Sequence, residues 1–240
     1  MPTPLTTAAP TAPLDRHSLR RPVVRAVVVV ALLVLIGFLL RAHPVDEPLA
    51  RILNAAHTGT VAAVGSAVYA AFEPVPAVLL TVALTALVRI RTRRVATAVA
   101  FAGTVALTWI PSDLLKLVVG RPRPDGSVLP HPFVPVQPDP SFPSGHAVFV
   151  TALLLAVLAL VPPGRRRRAI AVVGGLGVLF VVLALAVDGV HWPSDLAASV
   201  VWALAVAPVA RTVWTTGVVD PLARRLEQTG RHRVRKEDRP

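Results

Sequence analysis

The stretch VVRAVVVVALLVLIGFLL, residues 23–40, decides the fold, because it carries one charge in an otherwise apolar run. An apolar run of about 18 residues is long enough to cross the hydrocarbon core of a bilayer as a helix. Lipid offers no partner for backbone polar groups, so a spanning segment is either a helix or a strand of a closed barrel. Barrel strands alternate apolar and polar residues, and this run does not. It therefore predicts a transmembrane helix.

Further apolar runs follow along the 240-residue chain, of which 54% is hydrophobic. We predict an all-α integral membrane bundle of about six transmembrane helices, near residues 23–40, 74–90, 95–119, 144–161, 169–187 and 194–213. The stretch 49–72 is apolar but dotted with polar residues, so we expect an interfacial helix or a pair of short helices there. The chain has no cysteine, which excludes disulfides and thiolate chemistry.

The formal net charge of +12 is concentrated outside the apolar runs. Arginines cluster before the first run, at 89–94, at 165–168 and in the C-terminal tail, which all fall on one side of a six-helix bundle. The positive-inside rule makes that side cytoplasmic, with both termini there. We therefore interpret the basic residues as topology signals and expect membrane contact, not nucleic acid binding. The connections near 41–73, 120–143 and 188–193 are then expected outside.

The chain divides into three predicted regions. Residues 1–22 are expected to be a disordered cytoplasmic tail, residues 23–215 the transmembrane domain, and residues 216–240 a basic cytoplasmic tail. We expect a multi-pass protein of the cytoplasmic membrane. Its polar motifs, at 116–124, 143–146 and 191–195, all lie at the predicted outer ends of helices, where a bundle can bring them together.

These motifs have the composition of an anion site. Lys116, Arg121 and Arg123 supply fixed cations, and an arginine fork matches phosphate oxygens. Ser144 and Gly145 open a predicted helix, where free N–H groups and the helix dipole favour an anion. Taken singly, Lys116 and Arg123 are equally well explained as interfacial anchors, Arg121 better as a bystander or anchor, and Ser144 as a helix cap.

Two histidines and one carboxylate supply groups for chemistry at that site. His191 and His146 are candidate nucleophile and candidate general acid. Asp195 lies four residues after His191 and is a candidate to orient its ring through a hydrogen bond. No metal or cofactor is expected, because the cations can neutralise a phosphate. Taken singly, each histidine is better explained as a surface residue, and only the combined spacing favours a site.

Across about residues 45–215 the chain resembles the type 2 phosphatidic acid phosphatases and their vanadium haloperoxidase relatives. Three motifs carry the resemblance: Lys116 and Arg123-Pro124 with six residues between them, the complete Pro143-Ser144-Gly145-His146, and His191 and Asp195 with three residues between them. The family pattern continues upstream of the last histidine with Ser-Arg, where this chain has Ala184 and Leu185. The family uses that arginine as a phosphate ligand. Arg121 is our candidate to replace it.

The resemblance implies the role of each residue. His191 would attack phosphorus and form a phosphohistidine, Asp195 would orient it, and His146 would protonate the leaving oxygen and later activate water. The phosphate oxygens would be held by Lys116, Arg123, Ser144 and Gly145. The implied activity is metal-independent hydrolysis of a phosphate or diphosphate monoester on a lipid within the bilayer, with polyprenyl diphosphate and phosphatidate-type lipids as leading substrates.

Two alternatives share the same motifs. The loss of the Ser-Arg pair favours a lipid-phosphate-binding or catalytically reduced relative, although such a relic has no reason to keep both histidines and Asp195. A phosphotransferase would pass the phosphoryl group to an acceptor other than water. A small transporter is disfavoured, since the polar groups lie at helix ends and no internal repeat is evident.

Overall fold

The computed structural model describes residues 16–224, with side chains from residue 20 onward. The tails predicted at 1–22 and 216–240 therefore fall largely outside the described residues. Within that range the chain forms eight α-helices and no strand. They are α1 (Arg16–Ala42), α2 (Glu47–Asn54), α3 (Gly59–Ala71), α4 (Pro74–Thr92), α5 (Val95–Val119), α6 (Gly145–Leu158), α7 (Arg165–Asp188) and α8 (Pro193–Trp214).

The predicted helical membrane bundle is confirmed. Five helices are long and apolar enough to cross a bilayer, namely α1, α4, α5, α7 and α8. The sixth predicted span, 144–161, corresponds to α6, which has only 14 residues and is about 21 Å long. This is shorter than a hydrocarbon core of about 30 Å. The stretch 49–72 contains the expected pair of short helices, α2 and α3.

Both ends of the domain are more helical than expected. Helix α1 begins at Arg16, so residues 16–22 extend the first span and do not belong to a tail. At the other end, a π-helical turn, Thr215–Val219, follows α8, and helical structure continues to Arg224. Residues 216–224 therefore also belong to the helical domain.

The centre of the bundle consists of α5, α6 and α8, which pack on one another, with α1 and α4 outside them and α3 beside α7. The inward faces carry closely packed apolar side chains such as Phe149 and Val148. The outward faces are also apolar, as Val27, Leu79 and Val173 show. A helix that is apolar all round is the expected form of a membrane span.

Four helix ends meet on one side of the bundle, and local sequence explains each. Gly120 and Gly189 end α5 and α7 with φ of 60° and 73°, left-handed conformations that glycine adopts without penalty. Ser144 caps α6, accepting a hydrogen bond from Ala147 N. Pro193 occupies the first turn of α8, where its missing N–H costs nothing. The three motif segments begin or end at these points.

Candidate active site

Hydrogen bonds tie the three motif segments together at this end of the bundle. Arg123 Nη1 donates to the carbonyl of Val190 at 2.6 Å, and the indole of Trp192 donates to the carbonyl of Pro122 at 2.8 Å. Ser144 N donates to Ser199 Oγ of α8 at 2.7 Å. The loop before α6, the turn before α8 and the end of α5 therefore form one cluster.

A cavity of about 420 Å³ opens beside this cluster. Its lining combines two cations, three acidic groups and a histidine with an aromatic and apolar wall. The polar and glycine members are Lys116, Arg123, Asp113, Asp139, Glu73, Gln137, His146 and Gly145, and the wall includes Tyr69, Phe72, Trp109 and Leu117. A cavity with convergent charged groups and an apolar wall suits an amphiphilic ligand that carries an anionic head.

The two cations of the cavity share one carboxylate. Lys116 Nζ lies 2.6 Å from Asp139 Oδ2, and Arg123 Nη2 lies 2.7 Å from Asp139 Oδ1. Arg123 Nε also donates to the backbone carbonyl of Asp139 at 2.9 Å. Burial alone raises the pKa of Asp139, but the hydrogen bond from Lys116 and the charges of both cations outweigh it and lower that pKa. Asp139 is therefore ionised at neutral pH.

His191 is fully buried and does not line the cavity. Its Nδ1 lies 2.9 Å from the carbonyl of Ser141, whereas the nearest oxygen of Asp195 is 3.8 Å away. A carbonyl only accepts hydrogen bonds, so Nδ1 carries the proton and Nε2 carries the lone pair. In this arrangement 3.8 Å is too long for a hydrogen bond to Asp195, and Ser141 O accepts the Nδ1 proton, so the orienting role expected of Asp195 stays a prediction.

The lone pair of His191 faces a cation. Arg123 Nη1 lies 3.4 Å from His191 Nε2. Burial, together with the charges of Arg123 and Lys116, lowers the pKa of His191 well below its usual value. The imidazole is therefore neutral at pH 7, which is the form in which Nε2 can act as a nucleophile.

Asp195 anchors the start of α8. One carboxylate oxygen accepts from the backbone N–H of Trp192 at 3.0 Å, which caps the helix, and the other pairs with Arg121 Nη1 at 2.5 Å. Each oxygen of Asp195 therefore has a partner other than His191. Asp195 thus contacts the backbone of the residue next to His191, at the turn that leads into α8.

Arg121 is buried and lies outside the cavity lining, so its expected role in substrate binding stays a prediction. Its side chain is only 1% exposed. Its fork pairs with Asp195 and with Asp46, whose Oδ1 lies 2.7 Å from Nη2, and its guanidinium stacks 5.1 Å above the Trp192 ring. In this arrangement its Nη atoms are engaged by Asp195 and Asp46 and do not face the cavity.

Asp46 links the α1–α2 connection to the start of α8. Besides Arg121, it accepts hydrogen bonds from the backbone N–H of Ser194 at 3.0 Å and from the Ser194 hydroxyl at 2.5 Å. Burial raises its pKa, but the Ser194 hydrogen bonds and Arg121 outweigh this and lower it. Sequence reasoning noted Asp46 only as part of a polar stretch, because its partners are 75 and 148 residues away in the chain.

His146 and Gly145 form one wall of the cavity. His146 Nε2 lies 3.2 Å from the carbonyl of Tyr69, and the two rings stack with centroids 4.6 Å apart. This contact places the proton on Nε2 and leaves the Nδ1 lone pair free. A side chain at Gly145 would lie 3.2 Å from Asp113 Oδ1 and 3.9 Å from Lys116 Nζ, so glycine keeps this part of the cavity open.

Ser144 is fully buried and does not line the cavity. Its N–H donates to Ser199 and its hydroxyl accepts from Ala147 N, so it holds α6 in place. The expected contact of Ser144 with phosphate oxygens is therefore absent from this arrangement. Gly145 and His146 are the residues of that motif that face the cavity.

The position of the missing family arginine is apolar. Leu185 is fully buried in the core between α6 and α7, in a cluster that includes Phe149 and Tyr69. Among the residues that the structure places around the cavity, Lys116 and Arg123 are the cations. Two positive side chains are therefore available to bind an anion at this site.

Comparisons with known proteins agree with this arrangement. A family model described as the PAP2 superfamily matches residues 96–217, which include all three motifs. The crystal structure of a transmembrane PAP2-type phosphatidylglycerolphosphate phosphatase from Bacillus subtilis superposes with a TM-score of 0.67 at 14% identity, over 78% of this chain and 94% of that chain. No curated protein gives a significant match. The chain is a multi-pass membrane protein, and it belongs to the PAP2 superfamily.

Proposed function

We propose that the protein is a membrane lipid phosphatase that hydrolyses a phosphate or diphosphate monoester through a phosphohistidine on His191. One observation carries the proposal: Arg123 lines the cavity beside Lys116 and His146 and also lies 3.4 Å from His191 Nε2. A phosphate held by the two cations would then lie close to a neutral nucleophilic nitrogen. Positive side chains at that place stabilise the charge of a phosphoryl transition state.

The reaction runs in two steps. His146 Nδ1 first accepts the proton of the substrate's monoprotonated phosphate; His191 Nε2 then donates its lone pair to phosphorus, the bond from phosphorus to the lipid oxygen breaks, and that oxygen takes the proton from His146 Nδ1. Neutral His146 then takes a proton from water, the resulting hydroxide attacks the phosphohistidine, and inorganic phosphate leaves while His191 regains its lone pair. Ser141 O holds the Nδ1 proton throughout, so the ring keeps its orientation.

The cavity favours a lipid as the substrate. Leu117 lines it and is 73% exposed, although it lies next to Lys116 in the chain. The apolar side chains of Phe72 and Pro74 complete the same wall. A headgroup phosphate on the cations would leave its tail along these membrane-facing residues. Together with the arginine clusters at 89–94 and 165–168, this favours entry from the bilayer at the outer face.

The test is phosphate release by the purified protein in detergent with EDTA present. Polyprenyl diphosphate and phosphatidate are offered in parallel, and His191→Ala is compared with His131→Ala. His131 is an exposed histidine on the loop between α5 and α6, and it is not among the residues that line the cavity. We expect release by the wild type and by His131→Ala, and none by His191→Ala. Equal release by all three proteins, or loss of all release in EDTA, would contradict the proposal.

The absence of the third-motif arginine keeps a binding protein as the second candidate. Leu185 leaves the phosphate with two cations, which is enough for binding a lipid phosphate. A folded protein that binds lipid phosphate but releases no phosphate from either lipid would favour this candidate. Release that appears only after addition of an alcohol acceptor, with phosphate recovered on that acceptor, would indicate a phosphotransferase.

A further inference from the structure

The carboxylate of Asp139 occupies the place between the two cations of the cavity. One oxygen contacts Lys116 Nζ at 2.6 Å and the other contacts Arg123 Nη2 at 2.7 Å. A phosphate bound by these cations would bridge the same two nitrogens through two of its oxygens. Asp139 and a bound phosphate therefore compete for the same donors.

We infer that Asp139 is an internal competitor for phosphate, which yields the two cations to the lipid substrate and takes them back to expel the inorganic phosphate product. The inference rests on the proposed function, because it assigns the Lys116–Arg123 pair to the phosphate. It adds a specificity-determining residue: only a phosphate whose lipid tail contributes further binding displaces the carboxylate easily. Free phosphate lacks a tail and competes poorly.

The loop around Asp139 is held by contacts that do not use the Asp139 side chain, so that side chain can move by itself. Arg123 Nε holds the carbonyl of Asp139, Ser141 N donates to the carbonyl of Arg121 at 2.8 Å, and Ser141 O holds His191. These contacts do not involve the Asp139 carboxylate. The side chain of Asp139 is 46% exposed, so it can rotate into solvent while the loop stays in place.

The partial exposure of the Asp139 side chain also limits how much it weakens phosphate binding. Half-exposed ion pairs contribute little each, so the two pairs of Asp139 together weaken phosphate binding by about tenfold. A fully buried carboxylate between the two cations would exclude phosphate from the site. An exchangeable carboxylate instead lowers affinity for the product while leaving the site accessible to substrate.

Asp139→Asn tests the inference, because asparagine keeps the size and the backbone contact but removes the charge. Asp125→Asn is the matched control, since Asp125 lies on the same loop and contacts only the backbone of Ser127 at 2.8 Å. Inorganic phosphate is the probe, both as an inhibitor of lipid hydrolysis and, independently of turnover, through its effect on the thermal unfolding temperature. Asp139→Ala serves as a second variant with the same expected sign.

We expect Asp139→Asn to bind inorganic phosphate about tenfold more tightly than the wild type and to show a lower KM, with Asp125→Asn unchanged. If Asp139 merely positions Lys116 and Arg123, both variants at 139 will bind phosphate more weakly and turn over more slowly, which would overturn the inference. Active enzyme with phosphate affinity unchanged at 139 would also overturn it and leave the proposed function standing. Absence of hydrolysis and of phosphate binding in every protein would overturn both.

Discussion

Arg121 and Arg123 lie two residues apart on one loop and play opposite parts. Arg121 is 1% exposed and pairs with two buried or nearly buried carboxylates, those of Asp195 and Asp46. Arg123 lines the cavity, pairs with the half-exposed Asp139 and contacts His191. Two arginines so close in the chain thus differ in the exposure of their partners, which makes Arg123 the better candidate to bind a ligand.

The physical basis is the cost of breaking each pair. Removing a partner from a buried ion pair leaves an uncompensated charge, which costs about 3–5 kcal/mol. An exposed carboxylate is rehydrated when its partner leaves, so the loss is at most about 1 kcal/mol. Arg121 is thus fixed by its surroundings, while Arg123 can exchange a carboxylate for a phosphate.

The largest expected effect is on stability. Arg121→Ala leaves Asp195 and Asp46 without their cation, so we expect it to lower the free energy of unfolding by about 3–5 kcal/mol. Arg123→Ala is the matched variant, with an expected loss of at most about 1 kcal/mol. Unfolding of both variants in mixed micelles of increasing denaturing detergent measures the difference. Equal losses of unfolding free energy in Arg121→Ala and Arg123→Ala would contradict the distinction between the two arginines.

The next effect is on activity. Arg123→Ala is expected to lower kcat by about 10²–10³-fold, because one donor to the transition-state charge is lost. Arg123→Lys keeps the charge without the fork, so we expect an intermediate loss. Both are measured as phosphate release under saturating lipid, with circular dichroism as the control for folding. Wild-type kcat in Arg123→Ala would show that this cation does not act on the phosphate.

The smallest effect concerns Asp46 and pH. Asp46→Asn keeps one hydrogen-bond acceptor for Arg121 or Ser194, so we expect a loss of about 1–3 kcal/mol at neutral pH. The pKa of Asp46 is lowered in the folded protein. Its ionised form therefore contributes stability that is complete above the ordinary pKa of 3.8 and disappears as pH falls through the lower, folded value.

A series of unfolding measurements between pH 3 and pH 7 checks this sign. The wild type should lose stability towards the acid end, and Asp46→Asn should lose less over the same interval, because the variant has one fewer carboxylate to protonate. A steeper acid loss in Asp46→Asn than in the wild type would contradict the assignment of Asp46 to the Arg121 pair.

The sequence was sufficient for the helical bundle and for the motifs that assemble at one end of it. Apolar runs reveal spans because lipid requires every backbone group to be bonded within the segment. The length of α6 was harder to predict from the sequence, since Ala159 to Val161 continue the apolar run although the helix ends at Leu158. Apolar character alone does not locate the end of a helix.

The partners of the charged residues could not be predicted from the sequence. Asp139 lies 23 residues from Lys116, and Asp46 lies 75 residues from Arg121, so no local spacing relates them. The contact between His191 and Ser141 uses a backbone carbonyl, which every residue has and no pattern marks. The four-residue spacing from His191 to Asp195 predicts a contact between them; in the structure they are 3.8 Å apart, and Asp195 contacts Trp192 N and Arg121 more closely.

The most direct test of the account is whether phosphorus becomes bound to His191. The purified protein is mixed briefly with lipid labelled with ³²P on its phosphate, quenched in alkali and analysed for protein-bound label, beside His191→Ala and His131→Ala. The account predicts label in the wild type and in His131→Ala and none in His191→Ala. Label that persists in His191→Ala, or phosphate release by His191→Ala at the wild-type rate, would contradict it.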